Sequence, residues 1–169
     1  MPQSDFKITF YTATILEWKP LLVKDVYKQI VVDSLRHLVS TGKIKVYGFV
    51  VMPNHIHLVW QILDTHTALI QQSFMRYTAQ MMLRNLREDP DTLAQYYVGA
   101  RDRKYQVWER NPLHVFIEHR AVFLQKLNYI HDNPVRKQLV TYPADYKYST
   151  AAMYLKNTAD WDFVTVIDH

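Results

Sequence analysis

The chain predicts an α+β fold, an antiparallel sheet with helices packed on one face in a ferredoxin-like sandwich. Three observations carry this. Aromatic and β-branched runs alternate with helical periodicities in the order strand, helix, strand, strand, helix, a further strand, helix. The second and third runs are joined only by Pro53 and Asn54, as in a hairpin. No repeat, low-complexity run or linker divides the 169 residues, so a single domain is expected, with a core over about 6–140 and a tail over 141–169.

Phe6 to Thr14 reads as the first strand, rich in aromatic and β-branched residues. Leu22 to Val39 follows as a helix. Val23, Val26, Tyr27, Ile30, Val31, Leu35, Leu38 and Val39 recur at helical spacing, and Gly42 is placed to cap its C-terminus. Lys45 to Met52 and His55 to Leu63 form the hairpin strands. Thr67 to Leu86 is the second helix, with Leu69, Phe74, Tyr77, Met81 and Leu86 apolar. Asp89-Pro90-Asp91 marks a loop. The stretch from Thr92 to Val115 has no clear period and is expected to hold a short helix and a strand near Tyr105 to Trp108. Ala121 to Asp132 is a third helix, closed by Asn133-Pro134 because the residue before proline disfavours helix. The tail is aromatic and irregular, with one short helix near Ser149 to Leu155.

Composition narrows the function. There are no cysteines, which excludes thiolate metal sites and cysteine nucleophiles and fits a reducing compartment. No basic start followed by an apolar run marks a signal peptide, and no run nears the roughly 18 apolar residues of a membrane span, so a soluble, cytoplasmic protein is expected. The net charge is +4 and 14% of residues are aromatic, including 12 tyrosines. Basic and aromatic side chains together suit single-stranded nucleic acid, where bases stack and phosphates pair. The same aromatics are equally the material of an ordinary core.

His55 and His57 lie two apart in a predicted strand, so their imidazoles share one face, with Ile56, Leu58 and Trp60 on the other. The spacing alone is weak evidence for a metal, since 8 histidines make one such pair unremarkable. A cupin would show many glycine turns and a nearby acid, but the chain has 3 glycines. An amidohydrolase barrel needs about 250 residues. Tyr129 and Asn133 are four apart and share a helix face, which brings a phenol and a carboxamide together. A phenol with a pKa of about 10 is a poor nucleophile at neutral pH unless a metal polarises the phosphate it attacks. Oxygen ligands with water and phosphate favour Mg2+ or Mn2+ over zinc. Either residue also suits a structural role, a packed tyrosine and a helix cap.

The segments VMPNHIHLVW at Val51 to Trp60 and YIHDNPVRKQLV at Tyr129 to Val140 resemble the REP-associated tyrosine transposases, a branch of the single-tyrosine HUH endonucleases. SFMRYTAQ at Ser73 to Gln80, VWERN at Val107 to Asn111 and DYKYSTAAMY at Asp145 to Tyr154 are weaker echoes in the same order. The resemblance implies a single-stranded or hairpin DNA substrate and hence a nucleoid-associated protein, nicking and rejoining through a 5′-phosphotyrosine at Tyr129, metal ligands His55, His57 and Asn133, and action as a monomer rather than a dimer. One departure is Lys137-Gln138, where relatives often have a small residue and glycine. His131, two positions from Tyr129, is expected on another helix face.

Candidate DNA contacts are Arg76 and Arg84 with Arg87 on the second helix, the cluster Arg101, Arg103 and Lys104, and Arg110, Arg136 and Lys137 around the tyrosine helix. A domesticated hairpin-binding protein with little or no catalysis is the alternative function. A nuclease or RNA-binding protein with a structural Tyr129 is a third. The intact set of His55, His57, Tyr129 and Asn133 favours the nicking enzyme.

Overall fold

In the computed structural model, which describes residues 7–168, strands β1 (Ile8–Thr14), β2 (Ile44–Val51), β3 (His55–Ile62) and β4 (Leu113–Ile117) pair in the order β2-β3-β1-β4. Every pairing is antiparallel. This is the split β-α-β order expected of a ferredoxin-like sandwich. The first strand was expected from Phe6, which lies outside the described residues.

Helices α1 (Asp25–Ser40) and α2 (Thr67–Leu86) cover one sheet face, over a core that includes Tyr11, Phe49, Ile56, Leu58 and Trp60. Helix α4 (Arg120–Arg136) covers the other, over Phe10, Tyr47, Val50 and Val59. The expectation of helices on one face therefore holds for α1 and α2 and not for α4. Along β3, Ile56, Leu58, Trp60 and Ile62 face the α1–α2 layer while His55, His57, Val59 and Gln61 alternate onto the α4 side, and all eight are buried, so each face has a cover. The short helix α3 (Pro90–Ala94) follows α2 in the chain, and α5 (Ala151–Lys156) follows α4.

Several boundaries differ from expectation for physical reasons. The first helix starts at Asp25, after two single 3-10 turns at Leu16–Trp18 and Leu21–Val23, and Val23 and Val26 are exposed. Gly42, at φ +72°, caps it as expected. In α2 the buried stripe is Phe74, Thr78, Met82 and Leu86, while Leu69 and Tyr77 face out. Thr78 belongs there because its hydroxyl donates to the Phe74 carbonyl at 2.9 Å and accepts from the Trp108 indole at 3.0 Å. Asp89-Pro90 opens α3 instead of a loop: the Asp89 carboxylate accepts from the Thr92 amide, and proline takes the first turn. Around Tyr105 to Trp108 only isolated bridges occur, Tyr97 to Tyr105 and Ile15 to Trp108, and the fourth strand is β4.

Asn133-Pro134 does not end α4. The helix runs three residues past Asn133 to Arg136, with Pro134 buried inside its last turn. Proline there forgoes one backbone bond, a loss a packed helix end tolerates. The helix then closes with the Leu139 amide donating to Pro134 and the Gln138 amide to Val135, and Gln138 at φ +59°. That left-handed cap position is one glycine ordinarily fills.

The segment after 140 contributes to the core. Tyr148, Met153, Trp161 and Phe163 are buried in it, and the chain returns to β2 through a parallel Val46–Val164 bridge. Among the described residues no helix is long and apolar enough to cross a membrane.

Candidate active site on the sheet face under α4

The β1, β2 and β3 registers set the site floor. Thr12 and Val50 flank His57 on its two sides, and Phe10 flanks Val59. His55 and His57, expected on one face, point together toward α4, with ring centroids 4.7 Å apart. They are only 5% and 6% exposed.

Helix α4 reaches this floor because β2 yields to it. A bulge between Val46 and Gly48 turns Tyr47 and Gly48 to the same side. A Cβ on Gly48 would lie 2.5 Å from Leu127 Cδ1 and 3.3 Å from Ile130 Cδ1, so the missing side chain is what lets α4 approach. Leu127 and Ile130 then anchor the helix, and Asn133 and Tyr129 present their shared face to the histidines.

Asn133 is 3% exposed, and its side-chain nitrogen lies 3.0 Å from His55 Nε2. With Nε2 accepting, Nδ1 of His55 carries the proton and donates to Asn54 Oδ1 at 2.7 Å. Nδ1 of His57 is 2.7 Å from the Thr12 hydroxyl. Each imidazole is thus held by its δ nitrogen, leaving its ε edge toward α4. Burial holds both rings neutral. It lowers His55 to about 4, helped by Lys137, and His57 to about 3, helped by His55, Arg136 and Lys126.

The Tyr129 ring is half exposed, 5.5 Å from the His57 ring and 6.1 Å from Phe10. The Arg136 guanidinium stacks on it at 4.3 Å and donates to the Tyr129 carbonyl at 3.0 Å. Lys126 lies on the other side, 4.9 Å over the Phe10 ring. The floor is therefore two neutral imidazoles and an amide, and its rim is Lys126, Arg136 and Lys137. His131 faces away, as expected, 2.7 Å from the Thr150 hydroxyl.

The other expected DNA contacts do not join this cluster. Arg76 and Arg84 lie on α2, across the sheet. Arg76, Arg103 and Arg110 line a separate cleft of about 920 Å³ between α2 and residues 102–114. Arg103 and Arg110 are paired there with Asp102, at 3.0 and 3.4 Å, so the basic cluster is partly neutralised. Arg101 and Lys104 are exposed.

Four site residues escaped the sequence reading. Lys126 precedes Tyr129 by one helical turn and was legible from that spacing. Thr12, Phe10 and Trp18 come from the first strand and the turn after it, and only strand register or folding brings them in. Trp18 stands edge-on to His55 at 5.7 Å. Glu17 and Trp18, at φ +54° and +57°, are consecutive left-handed residues, a conformation that costs on the order of 1 kcal/mol each outside glycine.

No family model and no curated protein matches the chain. Among solved structures, it shares its fold with a REP-associated tyrosine transposase bound to a REP hairpin. The TM-score is 0.60 at 17% identity, over 96% of this chain and 88% of that one. A candidate transposase from Deinococcus radiodurans superposes with a TM-score of 0.53 at 15% identity, over 78% of this chain and 94% of that one. These likenesses establish the α+β architecture that carries the site.

Proposed function

We propose that this chain is a single-strand DNA nicking and strand-transfer enzyme of the REP-associated tyrosine transposase kind, acting beside DNA hairpins. The observation that carries the reading is the convergence of Asn133 on His55 at 3.0 Å with Tyr129 beside His57, from segments more than seventy positions apart. The fold shared with a hairpin-bound transposase supports the substrate class. A hairpin-binding module would have no use for two buried neutral imidazoles beside a half-exposed phenol.

The donors fit a divalent cation. Among the described residues no three His, Cys, Asp or Glu side chains are grouped to hold a metal, so the imidazoles need Asn133 as third donor. A half-turn of its amide exchanges nitrogen for oxygen at His55 Nε2. Neutral imidazoles are the ligating form. His55, His57 and Asn133 would hold Mg2+ or Mn2+, which supplies Lewis acidity to the scissile phosphate when bound.

The chain's own groups do the rest. Lys126, Arg136 and Lys137 draw the phosphodiester to the rim. Tyr129 Oη forms the new bond to phosphorus as the bond to the 3′ oxygen breaks. The phenolic proton passes to solvent and the leaving oxygen takes one from it, so one strand ends in a 3′-hydroxyl and the other in a 5′-phosphotyrosine. The linkage keeps the phosphodiester's energy, and attack by a 3′-hydroxyl reverses the step without a nucleotide cofactor.

Incubation with end-labelled hairpin DNA and manganese, followed by a denaturing gel, tests this reading. Label on the 3′ end should shift with the protein and label on the 5′ end should not. Nicking with neither label shifted would mark a nuclease without a covalent step.

A further inference from the structure

We propose that Trp18 is a stacking platform for an unpaired nucleobase at the edge of the His55 site. This rests on the nicking reading, since it places the base next to the phosphate that Tyr129 attacks.

Three independent features single Trp18 out. It is 60% exposed, while Trp60, Trp108 and Trp161 are 0%, 5% and 7% exposed. Its ring stands 5.7 Å from His55 at 67°, so His55 steadies one edge of the indole and the rest is open. Its backbone is held where a non-glycine residue is disfavoured, at φ +57° directly after Glu17 at φ +54°. That conformation is over-determined from outside. Ile15 donates to Asn54, Leu16 to Val107, and the Glu17 amide to the Glu109 carboxylate at 2.6 Å. Ile15 and Leu16 turn into the core, and the left-handed pair throws the next large side chain out onto the rim. Strain maintained by three anchors in order to expose an indole beside a buried imidazole points to a ligand with a flat apolar face.

The occupant follows from the surroundings. Lys126 over Phe10 and Arg136 over Tyr129 stand on α4, and Lys137 caps its end; Lys137 acts on His55, and Arg136 and Lys126 act on His57. A single strand whose phosphates follow these cations past Tyr129 carries its neighbouring base to the Trp18 end of the site. Every base has a π-face, so the contact holds the strand without reading its sequence. A base inside a duplex has both faces stacked on its neighbours, and the platform therefore selects single strand next to a hairpin over duplex.

The burial of the other three tryptophans makes the test direct, because acrylamide-accessible tryptophan emission belongs to Trp18. In the Tyr129→Phe protein, where no covalent step competes, a hairpin with a single-stranded flank of mixed sequence should quench that emission and shield it from acrylamide. The same hairpin with an abasic flank, phosphates unchanged, should do neither. Trp18→Phe should remove the signal. Trp18→Ala should weaken binding of the base-bearing flank roughly ten-fold, and Trp18→Tyr, which keeps an aromatic face, should restore most of it. Equal quenching by the abasic flank, no quenching at all, or unchanged affinity in Trp18→Ala would overturn the proposal. The nicking reading is scored apart from it, by the covalent adduct of the wild-type protein.

Discussion

The side-chain amide of Asn133 lies 3.0 Å from Nε2 of His55, joining the last turns of α4 to the first residue of β3. It ties the helix packed on the sheet to the histidine pair. On the proposed function, His57→Ala should lower nicking by at least about 100-fold and leave hairpin affinity nearly unchanged, because rim phosphate contacts carry the binding. Nicking and filter binding on the same substrate, with manganese and with chelator, measure the two separately. Full nicking by His57→Ala in chelator would remove the metal from the account.

The approach of α4 depends on Gly48. A Cβ there meets Leu127 Cδ1 at 2.5 Å, and Leu127 sits one turn from Ile130 in the packed layer. Gly48→Ala should destabilise the protein by about 1–3 kcal/mol through overpacking. It should also reduce nicking more than hairpin binding, since it displaces the helix that carries Tyr129. Urea unfolding and the nicking assay report the two effects.

Gln138 occupies a left-handed cap position at φ +59° that glycine adopts without steric cost. Gln138→Gly should stabilise the protein by about 0.5–1 kcal/mol, offset in part by the freer unfolded chain. Thermal unfolding should show a rise of roughly 1–4 °C.

Acid should destabilise the protein through the histidine pair. In the folded chain His55 titrates at about 4 and His57 at about 3, against an ordinary imidazole near 6.5. Below about 6.5 the unfolded chain binds protons that the folded chain refuses, so stability falls as pH drops toward the folded values. Between pH 6.5 and 5 the pair should cost about 3 kcal/mol, split evenly between the two rings, read by urea unfolding without added metal. A His55→Gln, His57→Gln double variant should lose that part of the pH dependence. An unchanged slope would mean the imidazoles are more hydrated than their burial implies.

Much of this architecture is visible in the chain. The hairpin around Pro53-Asn54 and the period of α2 define elements within a few residues, because they bury strongly patterned faces. His55 and His57 are legible as a pair from strand geometry, and Tyr129 with Asn133 from helix geometry. Strand β4 is not legible, since Leu113 to His114 and Val115 to Phe116 are all exposed on a sheet edge, and no burial pattern marks the run. Pro134 misleads because tertiary packing carries the helix through it, which sets Asn133 inside α4 rather than at its end. Asp102 is plain in sequence, but its neutralising pairs with Arg103 and Arg110 require the fold. Thr12 and Trp18 are invisible to periodicity, since their roles come from β1 register and from a strained turn.

The central claim is that Tyr129 is the atom donor that joins the protein to DNA, and peptide mapping of the adduct tests it most directly. Trypsin cuts after Lys126 and Arg136, and the peptide from Leu127 to Arg136 holds Tyr129 and no other tyrosine. After reaction with a flanked hairpin and manganese, followed by trypsin and nuclease, mass spectrometry should find that peptide carrying a 5′-linked nucleotide. The Tyr129→Phe protein should bind the same hairpin and give no modified peptide. A nucleotide on any other tyrosine peptide, or nicked DNA with every tyrosine peptide unmodified, would contradict the account.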